Sequence, residues 1–238
     1  MFKSSPRTAQ RLVEEQVRKW QLDSEASGTR SAAKPPAAWP VITLSREFGA
    51  LGAATGRVVA EKLGFSFWDQ EIVHEIVEHT GAQESLLASL DERTRNQIED
   101  VINENLVGAA GTAVEYVRQV ARVVRTIERH GGAVIIGRGA YFILAPETTL
   151  RVRVVCPEAT RIERFAEREG LGKRDAEKHV RRVEHERQIF NKRHYGKEVG
   201  DPLHYDLVLN TGWSTPEGAA EVVIAAYHAK FGRLPDRR

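Results

Sequence analysis

VITLSREFGALGAATGRVVAEKL, residues 41–63, is the stretch on which the fold turns. Its first five residues, VITLS with Val41, Ile42 and Leu44 apolar, read as a buried strand. A turn carrying Gly49 and Gly52 follows, and residues from about 53 to 63 then read as a helix. That order gathers free backbone N–H groups and the positive end of a helix at one point, where a phosphate can bind. Gly49, Ala50, Leu51, Gly52 and Ala53 are the candidate phosphate contacts, with Arg46 at the end of the strand. The standard phosphate loop reads G-x-x-x-x-G-K-[ST], in which Lys meets the terminal phosphates and the hydroxyl holds Mg²⁺. Here Gly52 stands at the Lys and Ala53 at the hydroxyl, while Leu51 replaces a glycine that permits close approach. Thr55 is offset from Ala53 by two positions. A plain strand–turn–helix connection is the competing reading, and Arg46 or a distant arginine would have to supply the missing charge.

Outward from this stretch, strands and helices alternate. FSFW (65–68), AVIIG (133–137), LRVRVVC (150–156) and YDLVLNT (205–211) read as strands. Arg151 and Arg153 suggest a peripheral place for the third of these. Helices are expected over about 70–79, 84–106, 112–130, 158–169 and 173–194, with a last one from Pro216. Strands separated by helices argue for an α/β fold, a doubly wound parallel sheet of about five strands with helices on both faces. Upstream, residues 8–22 place Leu12 or Val13, Val17 and Trp20 on one helical face, and residues 24–40 read as a Ser-, Ala-, Gly- and Pro-rich linker. The expected division is therefore an arm over 1–40 and a domain over 41–238. The arm is either loosely docked or a partner-binding helix.

Composition excludes more than it assigns. The net charge of +2 does not by itself call for a polyanion partner, and acids interspersed in the basic helix argue against nucleic acid. The single cysteine, Cys156, suits a reducing compartment, and no apolar run suggests a membrane span or signal peptide. A cytoplasmic protein is the expectation, with oligomerisation left open. The eight histidines form no zinc-binding spacing.

Ligands of an open parallel sheet bind beyond the carboxyl ends of its strands. Three of those ends carry a charge at once: Arg46-Glu47, Asp69, and Arg138 after Gly137. Asp69 reads as a helix N-cap or a substrate contact. Arg138 must reach solvent, an anion or a carboxylate, because burying it unpaired is too costly. The basic segment 172–197 sets Arg181, Glu184 and Arg187 at spacing three, with Arg193 further along. A solvated, salt-bridged helix is the plain alternative there.

SREFGALGAATGR with VVAEKLGFSFWDQEIV, IIGRGAYFIL (135–144), EHERQIFNKRHYG (184–196) and YDLVLNT (205–211) together resemble the cytidylate-kinase-like family of the P-loop nucleoside-monophosphate kinases. The resemblance spans about Val41 to Phe231. It implies a P-loop fold with a helical insertion over about 70–130 and a lid over about 172–197. It further implies ATP as phosphoryl donor, Mg²⁺ held mainly through phosphates, and a nucleotide or other small phosphate acceptor. Arg187 and Arg193 then become the candidate catalytic arginines, and Asp69, Arg138 and Arg181 the candidate substrate contacts. Gly139 departs from a G-R-D segment, which removes support for cytosine selectivity. With the loop so altered, a degenerate nucleotide- or anion-binding module is the alternative.

Overall fold

A computed structural model describes residues 6–28, 38–105 and 111–235. Helix α1 (Pro6–Gly28) precedes strand β1 (Val41–Arg46), α2 (Gly52–Leu63) and β2 (Ser66–Trp68). Four helices follow: α3 (Gln70–Glu78), α4 (Thr80–Ala88), α5 (Glu92–Asn105) and α6 (Thr112–His130). Then come β3 (Ala133–Ile136), the short α7 (Ala140–Ile143), β4 (Thr149–Val155), α8 (Glu158–Glu169) and α9 (Lys173–Tyr195). A 3₁₀ turn (Pro202–His204), β5 (Leu207–Asn210) and α10 (Pro216–Phe231) close the chain. Part of the expected linker, residues 29–37, lies outside the described residues, and residues 24–28 continue α1.

The five strands form one parallel sheet in the order β2-β3-β1-β4-β5. From β1 the chain leaves to one side for β2 and β3, then crosses to the other for β4 and β5. The carboxyl end of β1 is therefore the switch point where a crevice opens. Ile42, Leu44, Val134, Ile136, Val152 and Val154 pack one face against α2 and α10. Val41, Ala133 and Ile135 turn to the opposite face, into a cluster with α1, α3, α4 and α6. A third cluster, Ile162, Phe165, Ala176 and Val180, joins α8 to α9 and takes in Phe48.

Two expectations are corrected. The helix expected over 84–106 is two helices. Ser89 turns its hydroxyl onto the Leu86 carbonyl at 2.6 Å, and Asp91 caps the restart by accepting the Thr94 N–H at 2.8 Å. Strand β4 is interior rather than peripheral, pairing with β1 and β5. Its Arg151 is neutralised by Asp206 at 2.9 Å, so the charge needs no edge. Among the described residues no helix is long and apolar enough to cross a membrane.

Helix α1 spends its apolar face on the chain itself. Ala9 and Val13 are fully buried, Gln10 donates to Ser85 Oγ at 3.1 Å, and Trp20 stacks on His130 at 3.7 Å. His130 Nε2 lies 2.8 Å from Ser89 Oγ, and burial pushes the imidazole down from 6.5 to about 4. A histidine depressed in the folded state stabilises fully above its unfolded value and loses that contribution as pH falls through the folded one. Stability should therefore drop by about 1–3 kcal/mol between pH 6.5 and 4. His130→Gln should flatten this part of a pH–melting profile.

Candidate functional site

The loop after β1 is shaped by two unusual residues and two close approaches. Leu51 caps α2 in the left-handed region at φ 61°, and Arg138 lies there too at φ 51°. Among the described residues these are the two non-glycine positions with positive φ, and both stand at the carboxyl edge of the sheet. Such backbone costs of order 1–3 kcal/mol and clusters where function requires it. The N–H groups of Gly49, Leu51, Gly52, Ala53 and Ala54 bond to no described residue, which leaves a concave set of donors at the start of α2.

Gly52 shows where the lysine has gone. A Cβ there would lie 2.6 Å from Arg46 Cβ, so the stem of Arg46 fills the space a Gly52 side chain would need. Its guanidinium passes Gly137, where a Cβ would sit 2.5 Å from Nη1. It makes no hydrogen bond or ion pair with any described residue. Burial first, then Arg187 and Arg138, push its pKa from 12.5 down to about 9, while Asp69 and Glu184 pull the other way. A guanidinium does not readily surrender its proton, so a bound anion is the natural relief.

Helix α9 is bolted to this loop. Glu184 Oε1 accepts the Phe48 N–H at 2.8 Å, and Arg161 Nη1 donates to the Phe48 carbonyl at 3.2 Å. Arg187 Nη1 donates to the Arg46 carbonyl at 3.1 Å and lies 3.7 Å from Glu184. Burial lowers the Arg187 pKa, Glu184 opposes this, and Arg153, Arg161 and Arg138 add to it. Five guanidiniums thus converge on three carboxylates, Glu47, Asp69 and Glu184.

Asp69 Oδ1 caps α3, accepting from Glu71 and Ile72 at 2.9 and 3.0 Å, and the carboxylate's charge acts on Arg46. Arg138 donates from Nε to the Gln70 carbonyl at 3.0 Å and opens onto a cleft of about 360 Å³. His74 and Glu78 from α3, Tyr116 from α6, and Phe190 and Arg193 from α9 line it with Arg138. The Tyr116 hydroxyl and His74 Nδ1 are enclosed without a hydrogen-bond partner. Gly139 is glycine because a Cβ would lie 2.2 Å from the Tyr195 ring, which excludes an aspartate.

Arg46, the loop from Gly49 to Ala53, Asp69, Arg138 and Arg187 are brought together, and Arg193 stands exposed at the cleft. Arg181 is not brought in: its side chain is 65% exposed and paired with Glu158 and Glu177 at 2.8 and 2.9 Å. The cleft residues of α3 and α6 were missed, because His74, Glu78 and Tyr116 look like ordinary exposed helix positions. Among the described residues no group of three or more His, Cys, Asp or Glu could hold a metal ion. Thr55 is fully buried, and its hydroxyl has no hydrogen-bond partner among the described residues.

A model of the cytidylate kinase-like family matches residues 41–212. A cytidylate kinase of Pyrococcus horikoshii is 32% identical over 113 residues, 46% of this chain and 56% of that protein. A uronate isomerase of Corynebacterium glutamicum is 30% identical over 101 residues, which covers 42% of this chain but 20% of that protein. The chain thus spans about half or less of the length of these curated relatives. A solved structure of an uncharacterized protein from Eubacterium ventriosum superposes with a TM-score of 0.60 at 18% identity, covering 80% of this chain and 98% of that one.

Proposed function

The chain belongs to the cytidylate kinase-like family, and on that premise we propose that it is an ATP-dependent phosphotransferase whose acceptor is a small phosphorylated molecule of the nucleotide type. One observation carries the reading: Arg46, with no hydrogen-bond or ion-pair partner among the described residues, lies among Arg138 and Arg187, beside the free N–H groups of Gly49, Leu51, Gly52, Ala53 and Ala54. Phosphoryl transfer needs cations against the transferring group more than covalent chemistry, and this arrangement supplies them. The donor's phosphates fit the loop, where Arg46 takes the place of the lysine. The acceptor fits the cleft of about 360 Å³, its phosphate toward Arg138 and Arg193 and its ring against the aromatic wall that Tyr116 and Phe190 form edge to face. Mg²⁺ would be held mainly by phosphates and water, with the free Oδ2 of Asp69 as the protein oxygen nearest in kind.

Arg138→Ala tests the acceptor side. Losing a charge-assisted hydrogen bond should weaken nucleoside-monophosphate binding by roughly 1.5–3 kcal/mol in a calorimetric titration. Unchanged affinity with a lowered melting temperature would make Arg138 a structural member of the α3 contact. The strained Leu51 and the missing hydroxyl at Ala53 favour one second reading, a site that binds nucleotide without turning it over. ATP binding without transfer to any monophosphate is the outcome that selects it.

A further inference from the structure

Strand β4 carries a guanidinium where the middle of a parallel sheet is ordinarily apolar. Arg153 is 8% exposed and flanked by β1 and β5. Its Nη1 donates to Ser45 Oγ at 3.0 Å, but its nearest carboxylate oxygen, Glu47 Oε1, is 3.9 Å from Nη2. Its Nε is enclosed without a partner. Glu47 is committed elsewhere, accepting the Cys156 N–H at 2.9 Å and lying 3.5 Å from Arg161. One carboxylate therefore serves two buried guanidiniums. In register Ser45 lies opposite Arg153, and Thr43, two residues back on the same face, has a buried hydroxyl that is also unpartnered. Arg153 lies close enough to Arg187 for its charge to help lower the Arg187 pKa.

We propose that Arg153 is a phosphate-binding residue, the third guanidinium, with Arg46 and Arg187, around one phosphate group at the floor of the site. The inference rests on the phosphate-site reading above and extends it to a residue that neither the loop nor α9 supplies. Stability alone gives no reason to keep such a charge, since an apolar side chain of similar volume often serves a buried ion-pair position as well or better. A ligand with two or more negative charges does give a reason.

Thermal melts of the full chain against inorganic pyrophosphate, with chloride at matched ionic strength, test this. The unmodified protein should gain melting temperature saturably. Arg153→Met should match or exceed its melting temperature without ligand, yet bind pyrophosphate about tenfold or more weakly. Arg153→Lys, which keeps the charge but not the planar fork, should weaken binding by about threefold or more and decides the matter where the Met variant does not fold. An unchanged pyrophosphate affinity in these variants, with or without a lowered melting temperature, would overturn the proposal while leaving the phosphate site standing. An unmodified protein that does not respond to pyrophosphate would remove both.

Discussion

Arg187→Ala should lower phosphoryl-transfer turnover about a hundredfold or more, roughly 2.7 kcal/mol of barrier, while ATP affinity falls much less, by about tenfold at most. A group that meets charge developed in the transition state affects rate far more than ground-state binding. Arg187 has the placement for this: half-buried on α9, over the Phe48 ring at 5.5 Å and tied to the Arg46 carbonyl. Its loss removes that bond and the contact with Glu184, but also relieves repulsion against Arg46, so the melting temperature should stay within about 2 °C. Single-turnover kinetics beside a melt separates the two effects. A large fall in melting temperature with turnover intact would make Arg187 a fastener between α9 and the loop.

Deleting residues 1–30 should cost about 4 kcal/mol or more and lower the melting temperature by roughly 8–16 °C. The deletion removes the buried Ala9 and Val13, the Gln10–Ser85 bond and the Trp20 ring stacked on His130. It also uncovers Trp68 and the apolar side of α3, α4 and α6. Residues 38–40 are kept in this shortened chain because the Trp39 carbonyl accepts the Gly132 N–H at 2.9 Å and the Pro40 carbonyl accepts from Tyr227 at 2.9 Å. Division of the chain at residue 40 thus remains a proposal, and calorimetry on this deletion checks it. A shortened protein that melts within a few degrees of the full chain would make the arm a dispensable appendage.

The sheet was legible because buried parallel strands are apolar runs, and the limits of α6 and α8 follow from amphipathic periods closed by Gly131 and Gly170. The break at 89–91 was hidden, since residues 84–106 contain no glycine or proline and Ser89 and Asp91 are common on exposed helix faces. The convergence of Arg46, Asp69 and Arg138 could be read from their places after strands. Arg187 needed the family resemblance, because α9 otherwise looks like any salt-bridged helix, and Arg181 on the same helix is one of its solvated ion pairs. Arg153 was read as the mark of an outer strand, because a one-dimensional pattern does not show which neighbour turns a strand's charge inward. Nor does it show why Gly52 and Gly139 lack side chains; the Arg46 stem, six residues back, fills the first space, and the Tyr195 ring fills the second from a distant point of the chain.

The central claim is that this site moves a phosphoryl group. The most direct measurement incubates the full chain with Mg²⁺ and γ-labelled ATP against a panel of nucleoside monophosphates and separates the products. A labelled nucleoside diphosphate, formed in proportion to enzyme and reduced about a hundredfold by Arg187→Ala, is the predicted result. Bound ATP with no labelled diphosphate from any acceptor would contradict it.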